Sequence, residues 1–118
     1  MSFLLVSTDL MASSGAEGAA MRAGIGFATT APADASDKAT ESQPKLIAID
    51  LTTPVDDLAS LVEQLRQSAP EATLLAYGPH VHEAKLTAAL QAGCDVVLSR
   101  GQFHKQIDSL VERYAKDG

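Results

Sequence analysis

KLIAIDLTTP, residues 45–54, is an apolar run, Leu46–Ile49, that ends in one carboxylate, Asp50, with a proline-marked turn at Pro54. Apolar residues in succession, without polar alternation, describe a strand covered on both faces, as in the middle of a parallel sheet. In open parallel sheets, ligand chemistry gathers outside the carboxyl ends of the strands, where Asp50 is expected.

Working outward, Phe3–Val6 is a second such run, closed by Ser7, Thr8 and Asp9. Ser13–Ala23 is alanine-rich and predicts a helix, weakened by Gly15 and Gly18 and ended by Gly24. Ile25–Thr30 reads as a weaker strand. Residues 31–44, APADASDKATESQP, hold no large apolar side chain, so a helix there has no stripe to bury. A mobile polar loop, or at best a poorly formed second helix of one or two exposed turns, is the expectation.

Beyond the central strand, Pro54 is placed near the start of a helix, with Asp56 and Asp57 in its first turn. Leu58, Leu61, Val62 and Leu65 follow at helical spacing, and Ala69–Pro70 stops the run. Thr73–Tyr77 is a strand bounded by Gly78–Pro79, His82–Ala92 a helix closed by Gly93, and Val96–Leu98 a fifth strand. Ser99–Arg100–Gly101 reads as an exit loop, and Gln102–Ala115 as the last helix. Strands alternating with helices imply a parallel sheet with right-handed crossovers. Five of them in 118 residues fit a single α/β domain, the flavodoxin-like doubly wound sandwich of strand order 2-1-3-4-5 with helices on both faces. That order makes the first and third strands neighbours and gathers Ser7, Thr8, Asp9, Asp50, Thr52, Gly78 and Arg100 around one crevice.

Composition excludes several functions. A net charge of −6 without a basic stripe argues against nucleic acid. The amino-terminal run is too short to span a membrane and lacks a basic flank, so neither a membrane nor a leader is expected. One cysteine, Cys94, excludes an internal disulfide and fits a reducing compartment, which makes the cytoplasm the default. His80, His82, Glu83 and His104 lack the convergence a zinc site needs. Ser7 or Ser99 with His80 has no nucleophile elbow around it. Ser13–Gly26 carries neither a dinucleotide nor a Walker pattern. With aromatic residues at 4% and no Trp, nothing is present to sandwich a flavin.

The order of these motifs resembles a response-regulator receiver domain of the chemotaxis-receiver type, over nearly the whole chain. Asp50-Leu-Thr-Thr-Pro54 follows the family's Asp-x-x-x-Pro pattern, and AALQAGCDVVLSR, Ala88–Arg100, is similar to the approach to its conserved basic residue. The resemblance implies that Asp50 stands at the phosphoacceptor position. It also implies two acidic residues for Mg²⁺ at the end of strand one, where this chain has Ser7 and Thr8, with Asp9 one step on. The family's Ser or Thr after strand four is Gly78 here, and its Lys-Pro is Arg100–Gly101. Hydroxyls replace carboxylates poorly around Mg²⁺, and phosphoryl transfer depends largely on that charge.

The expectation is therefore a degenerate pseudo-receiver: a stand-alone protein-interaction module, not an enzyme, without phosphorylation and without a cofactor. The alternative is an atypical active response regulator, phosphorylated on Asp50, with Asp9 and Asp50 holding Mg²⁺. Arg100 either pairs bidentately with Asp50 and locks the crevice, or stays in solvent while Asp50 binds backbone amides. The resemblance places partners or a homodimer on helix four, strand five and helix five, roughly His82–Ala92 and Gln102–Tyr114. No effector domain follows Gly118 in this sequence, so the output is expected to pass through another molecule.

Overall fold

The structure, a computed structural model, describes residues 2–116. Five strands, β1 (Phe3–Val6), β2 (Phe27–Thr30), β3 (Leu46–Asp50), β4 (Thr73–Gly78) and β5 (Val96–Ser99), form one parallel sheet. Their spatial order is β2-β1-β3-β4-β5, as the alternation of elements predicts. Between them run α1 (Leu10–Ala23), α2 (Ala35–Ser42), α3 (Leu58–Ser68) and α4 (Glu83–Ala92), with α5 (Arg100–Leu110) and a π-helical turn (Val111–Ala115) after β5.

Period-two alternation splits the buried sheet between two cores. Leu4, Val6, Ile47, Ile49, Leu74 and Ala76 face α2, α3 and α4. Phe3, Leu5, Leu46, Ala48, Leu75 and Tyr77 face α1 and α5. Alanines 12, 16, 19 and 20 let α1 lie close on its side. β3 is buried at every position, which is why its sequence shows no polar alternation.

Several helix starts differ from the sequence reading, each time because a side chain caps the helix elsewhere. α1 begins at Leu10 rather than Ser13, since the Asp9 carboxylate accepts from the Met11 amide. α3 begins at Leu58, not near Pro54. Thr53 N–H bonds back to the Asp50 carbonyl at 3.1 Å, and the chain then loops to Asp57, whose carboxylate accepts from the Ser60 amide. α5 begins at Arg100 rather than Gln102, because Ser99 and Gln102 form a reciprocal capping box. There is no exit loop.

The polar stretch after β2 winds into a 3₁₀ turn, Pro32–Asp34, and then the two turns of α2. Large apolar side chains are unnecessary because Ala35 and Ala39 are fully buried. Gln43 ends α2 in the left-handed region at φ 45°. Its amide donates to the carbonyls of Ala39, Thr40 and, across the gap to α3, Ser68.

Candidate functional site

Ser7, Asp50, Gly78 and Ser99 lie at or just past the carboxyl ends of β1, β3, β4 and β5, so the topology brings the expected residues to one end of the sheet. Asp50 is 2% exposed. One carboxylate oxygen accepts the Ser7 hydroxyl at 2.8 Å. The other accepts both the amide and the hydroxyl of Thr52, at 3.0 and 2.6 Å. The Ser7 oxygen in turn accepts the Asp9 amide at 3.0 Å. Thr8 N–H donates to the Thr53 hydroxyl at 3.3 Å, so the loops after β1 and β3 are joined twice.

Arg100 does not pair with Asp50. Its guanidinium donates to Asp9 at 3.2 Å, and the other Asp9 oxygen holds the Met11 amide. Of the two alternatives for Arg100, this rules out the lock on Asp50. Asp50 lies behind Ser7 and Thr52, whereas Asp9, on the rim, is one-third exposed and faces Arg100 at the start of α5. A cation at a helix amino terminus is disfavoured by the helix dipole, and Asp9 offsets that penalty. The other expectation for Arg100 is met only in part: it is half-exposed yet paired, and Asp50 takes one backbone amide and two hydroxyls.

Three further residues shape the crevice. Tyr77, next to Gly78 on β4, is buried and stacked on Phe103, with ring centroids 3.9 Å apart. Its hydroxyl makes no well-formed hydrogen bond. Burial pushes its ionisation well above the ordinary phenol range, helped by the Asp50 and Asp9 carboxylates and opposed by Arg100 and the nearby Ser7 hydroxyl. Leu51 leans against Gly78 so closely that a Cβ there would lie 3.2 Å from the Leu51 Cβ. Lys85 of α4 reaches the Leu51 carbonyl at 3.5 Å. Leu51 and Thr53 fall at the unspecified positions of Asp-x-x-x-Pro, and no motif covers Tyr77 or Lys85. Only the adjacency of Thr53 to Thr52, and of Tyr77 to Gly78, could have pointed to Thr53 and Tyr77.

Around the crevice, the oxygens of both carboxylates are engaged by donors of the chain itself. Mg²⁺ takes near-octahedral oxygen ligands and is usually held by one or two carboxylates. Here both Asp50 oxygens are occupied by hydrogen-bond donors, and both Asp9 oxygens by an amide and a guanidinium. Among the described residues, no group of three or more His, Cys, Asp or Glu is placed to hold a metal. His104 instead packs edge-on against Tyr77 and Phe103, and His82 precedes the first turn of α4. Cys94 is buried, and burial raises its thiol to about 11, with Arg66 opposing and Asp95 adding to the shift. Among the described residues, no helix is long and apolar enough to cross a membrane.

No family model and no curated protein matches the chain. Solved structures do. The receiver domain of sensor histidine kinase PA1611 from Pseudomonas aeruginosa superposes with a TM-score of 0.80 at 19% identity, covering 97% of this chain and 96% of that one. That domain was solved with magnesium coordinated in its active-site cleft. The receiver domain of NtrX from Brucella abortus gives 0.75 at 17% identity, over 94% and 95% of the two chains. A CheY-like protein, TadZ, from Pseudomonas aeruginosa gives 0.75 at 18%, over 96% and 98%. The chain has the receiver fold, with the five-stranded order these neighbours share.

Proposed function

We propose that this chain is a receiver-fold signalling module that acts by binding proteins in the cytoplasm, without phosphotransfer, catalysis or a metal cofactor. The observation that carries the reading is the engagement of Asp50: both its oxygens are held by hydroxyl and amide donors of the chain itself. An acceptor carboxylate must present a free oxygen to phosphorus while a cation neutralises the charge that develops. The two cations near this site are both engaged elsewhere, Arg100 by Asp9 and Lys85 by the Leu51 carbonyl. Ser7 and Thr8 supply hydroxyls where carboxylates would be needed, and Gly78 has no hydroxyl to meet a phosphoryl group.

The surface of α4, β5 and α5 is the proposed contact face. β5 is a half-buried edge strand, and a groove of about 300 Å³ is lined by Leu86, Leu90, Val97 and Leu98 together with Thr87, Ser99 and Gln102. An uncovered sheet edge beside exposed leucine favours a protein partner or a second copy of the chain. The receiver domain of NtrC4, another structural neighbour, was solved as a dimer.

Incubation with acetyl phosphate and Mg²⁺, read by intact mass with Asp50→Asn as control, tests the reading. An unmodified mass is the expected result. A phosphoryl adduct lost in Asp50→Asn overturns it and makes the chain an active response regulator, in which Asp9 and Asp50 must swing free to hold the ion.

A further inference from the structure

A second concavity lies beside the crevice, between the loop after β3 and Lys85 and Ala88 of α4, and its lining shares no residue with the groove at β5. The loop between β3 and α3 stands away from α4 and encloses about 350 Å³, a volume within the range of small-ligand sites. Leu51 is its floor, Val55, Leu58 and Ala88 line its apolar wall, and Asp56 and Lys85 stand at its lip. We propose that this cavity binds a small amphiphilic acid: an apolar body carrying a single anionic group that pairs with Lys85.

The lysine argues for the charge. Its ammonium has three donors, and its contact with the Leu51 carbonyl, at 3.5 Å, is at the outer limit of a hydrogen bond. An anion at ordinary distance makes a shorter, charge-assisted bond. Asp56 at the same lip repels a second negative charge, which favours a monoanion over a phosphate dianion. The neighbouring cavity, of about 420 Å³ across the partition formed by Pro54, Val55 and Asp56, is the contrasting case. Its lining includes Asp56 and Asp57 and no cation, so the same ligand is excluded there.

The position gives the site a connection to the crevice. Leu51 follows Asp50 directly, its amide bonds the Tyr77 carbonyl at 2.9 Å, and its side chain presses on Gly78. A ligand seated on Leu51 therefore touches the segment that carries Thr52 and Thr53, both of which help to close the crevice.

The test uses 1-anilinonaphthalene-8-sulfonate, an aromatic body with one sulfonate, titrated into the intact chain and followed by fluorescence. The expected result is saturable single-site binding, weakened about tenfold by Lys85→Met through the lost charge-assisted bond. Ala88→Phe, which places a ring in the cavity, abolishes binding, while Leu90→Glu, on the partner-facing groove, leaves it unchanged. Ala88 and Lys85 are exposed, so both variants should fold, and unchanged thermal unfolding checks this. N-phenyl-1-naphthylamine, the same body without the sulfonate, should bind more weakly and be indifferent to Lys85→Met. The absence of saturable binding, affinity unchanged in Lys85→Met and Ala88→Phe, or loss in Leu90→Glu overturns the proposal.

Discussion

Replacing Asp50 by Ala removes an acceptor from three donors at once, and the sign of the stability change separates two kinds of site. The Ser7 hydroxyl, on a residue 7% exposed, loses its acceptor in a place water reaches poorly. A buried donor left in that way costs about 1–3 kcal/mol. The amide and hydroxyl of Thr52 belong to an exposed residue and can turn to water, so each loses only the net value of its bond, about 0.5–1 kcal/mol. The total is about 3 kcal/mol, or a fall in Tm of roughly 10 °C for a domain of this size. Asp50→Asn keeps an oxygen toward Thr52 but turns its NH₂ toward Ser7, whose hydroxyl must then accept, and about 1 kcal/mol is lost. Urea and thermal unfolding, followed by circular dichroism at neutral pH in chelator, measures both; chelation matters because a bound ion would add stability by linkage. In a crevice built from several carboxylates, neutralising one relieves repulsion and raises stability. A Tm for Asp50→Ala equal to or above the parent's would therefore refute the view that Asp50 is a structural acceptor held by its own loops.

Two other perturbations have definite signs. Burial pushes Asp95 up, but the hydrogen bond from Arg66, the Leu74 amide and the Arg66 charge together hold it below its ordinary value of 3.8. A depressed folded value means that the stabilisation is present above about pH 4 and fades as pH falls through the folded pKa. Arg66→Ala should cost about 1 kcal/mol or less at pH 7, since both partners are over one-third exposed, and the gap to the parent should narrow in acid melts. A gap that widens in acid contradicts the pairing. Tyr77→Phe keeps the stack on Phe103 while removing a buried hydroxyl that lacks a good partner, so stability should hold or rise by up to about 1 kcal/mol. A drop larger than that would show that the hydroxyl is bonded, with Ser7 the first candidate.

The fold was legible because its signals are local. β3 announces a doubly covered strand in five consecutive buried residues, and Gly24 and Gly93 mark helix ends in the left-handed region. The gathering of Ser7, Asp9, Asp50, Gly78 and Arg100 at one end of the sheet follows from topology alone. Their pairing does not. Which carboxylate receives Arg100 depends on where α1 and α5 begin and on how deep Asp50 sits, quantities fixed by caps and packing rather than by spacing. α2 was obscured for another reason: burying two alanine methyls leaves no hydrophobic stripe to read. Tyr77 carried no warning, because an aromatic residue on a buried strand looks the same whether or not its hydroxyl is satisfied.

The contact between Leu51 and Gly78 constrains the order in which this sequence could change. A hydroxyl-bearing side chain at position 78 must first bring a Cβ, and that atom would stand 3.2 Å from another Cβ, which no rotamer can move. Trimming Leu51 to alanine leaves the obstructing atom in place. A side chain at 78 therefore needs the backbone past Asp50 to give by a few tenths of an ångström, or a glycine at 51, and either change alone weakens the packing around β3 and β4. Two substitutions that are favourable together are thus separated by intermediates less stable than either end. The pair works as a barrier in sequence space that resists change in either direction, and it biases position 78 toward glycine on steric grounds separate from the chemistry of the crevice.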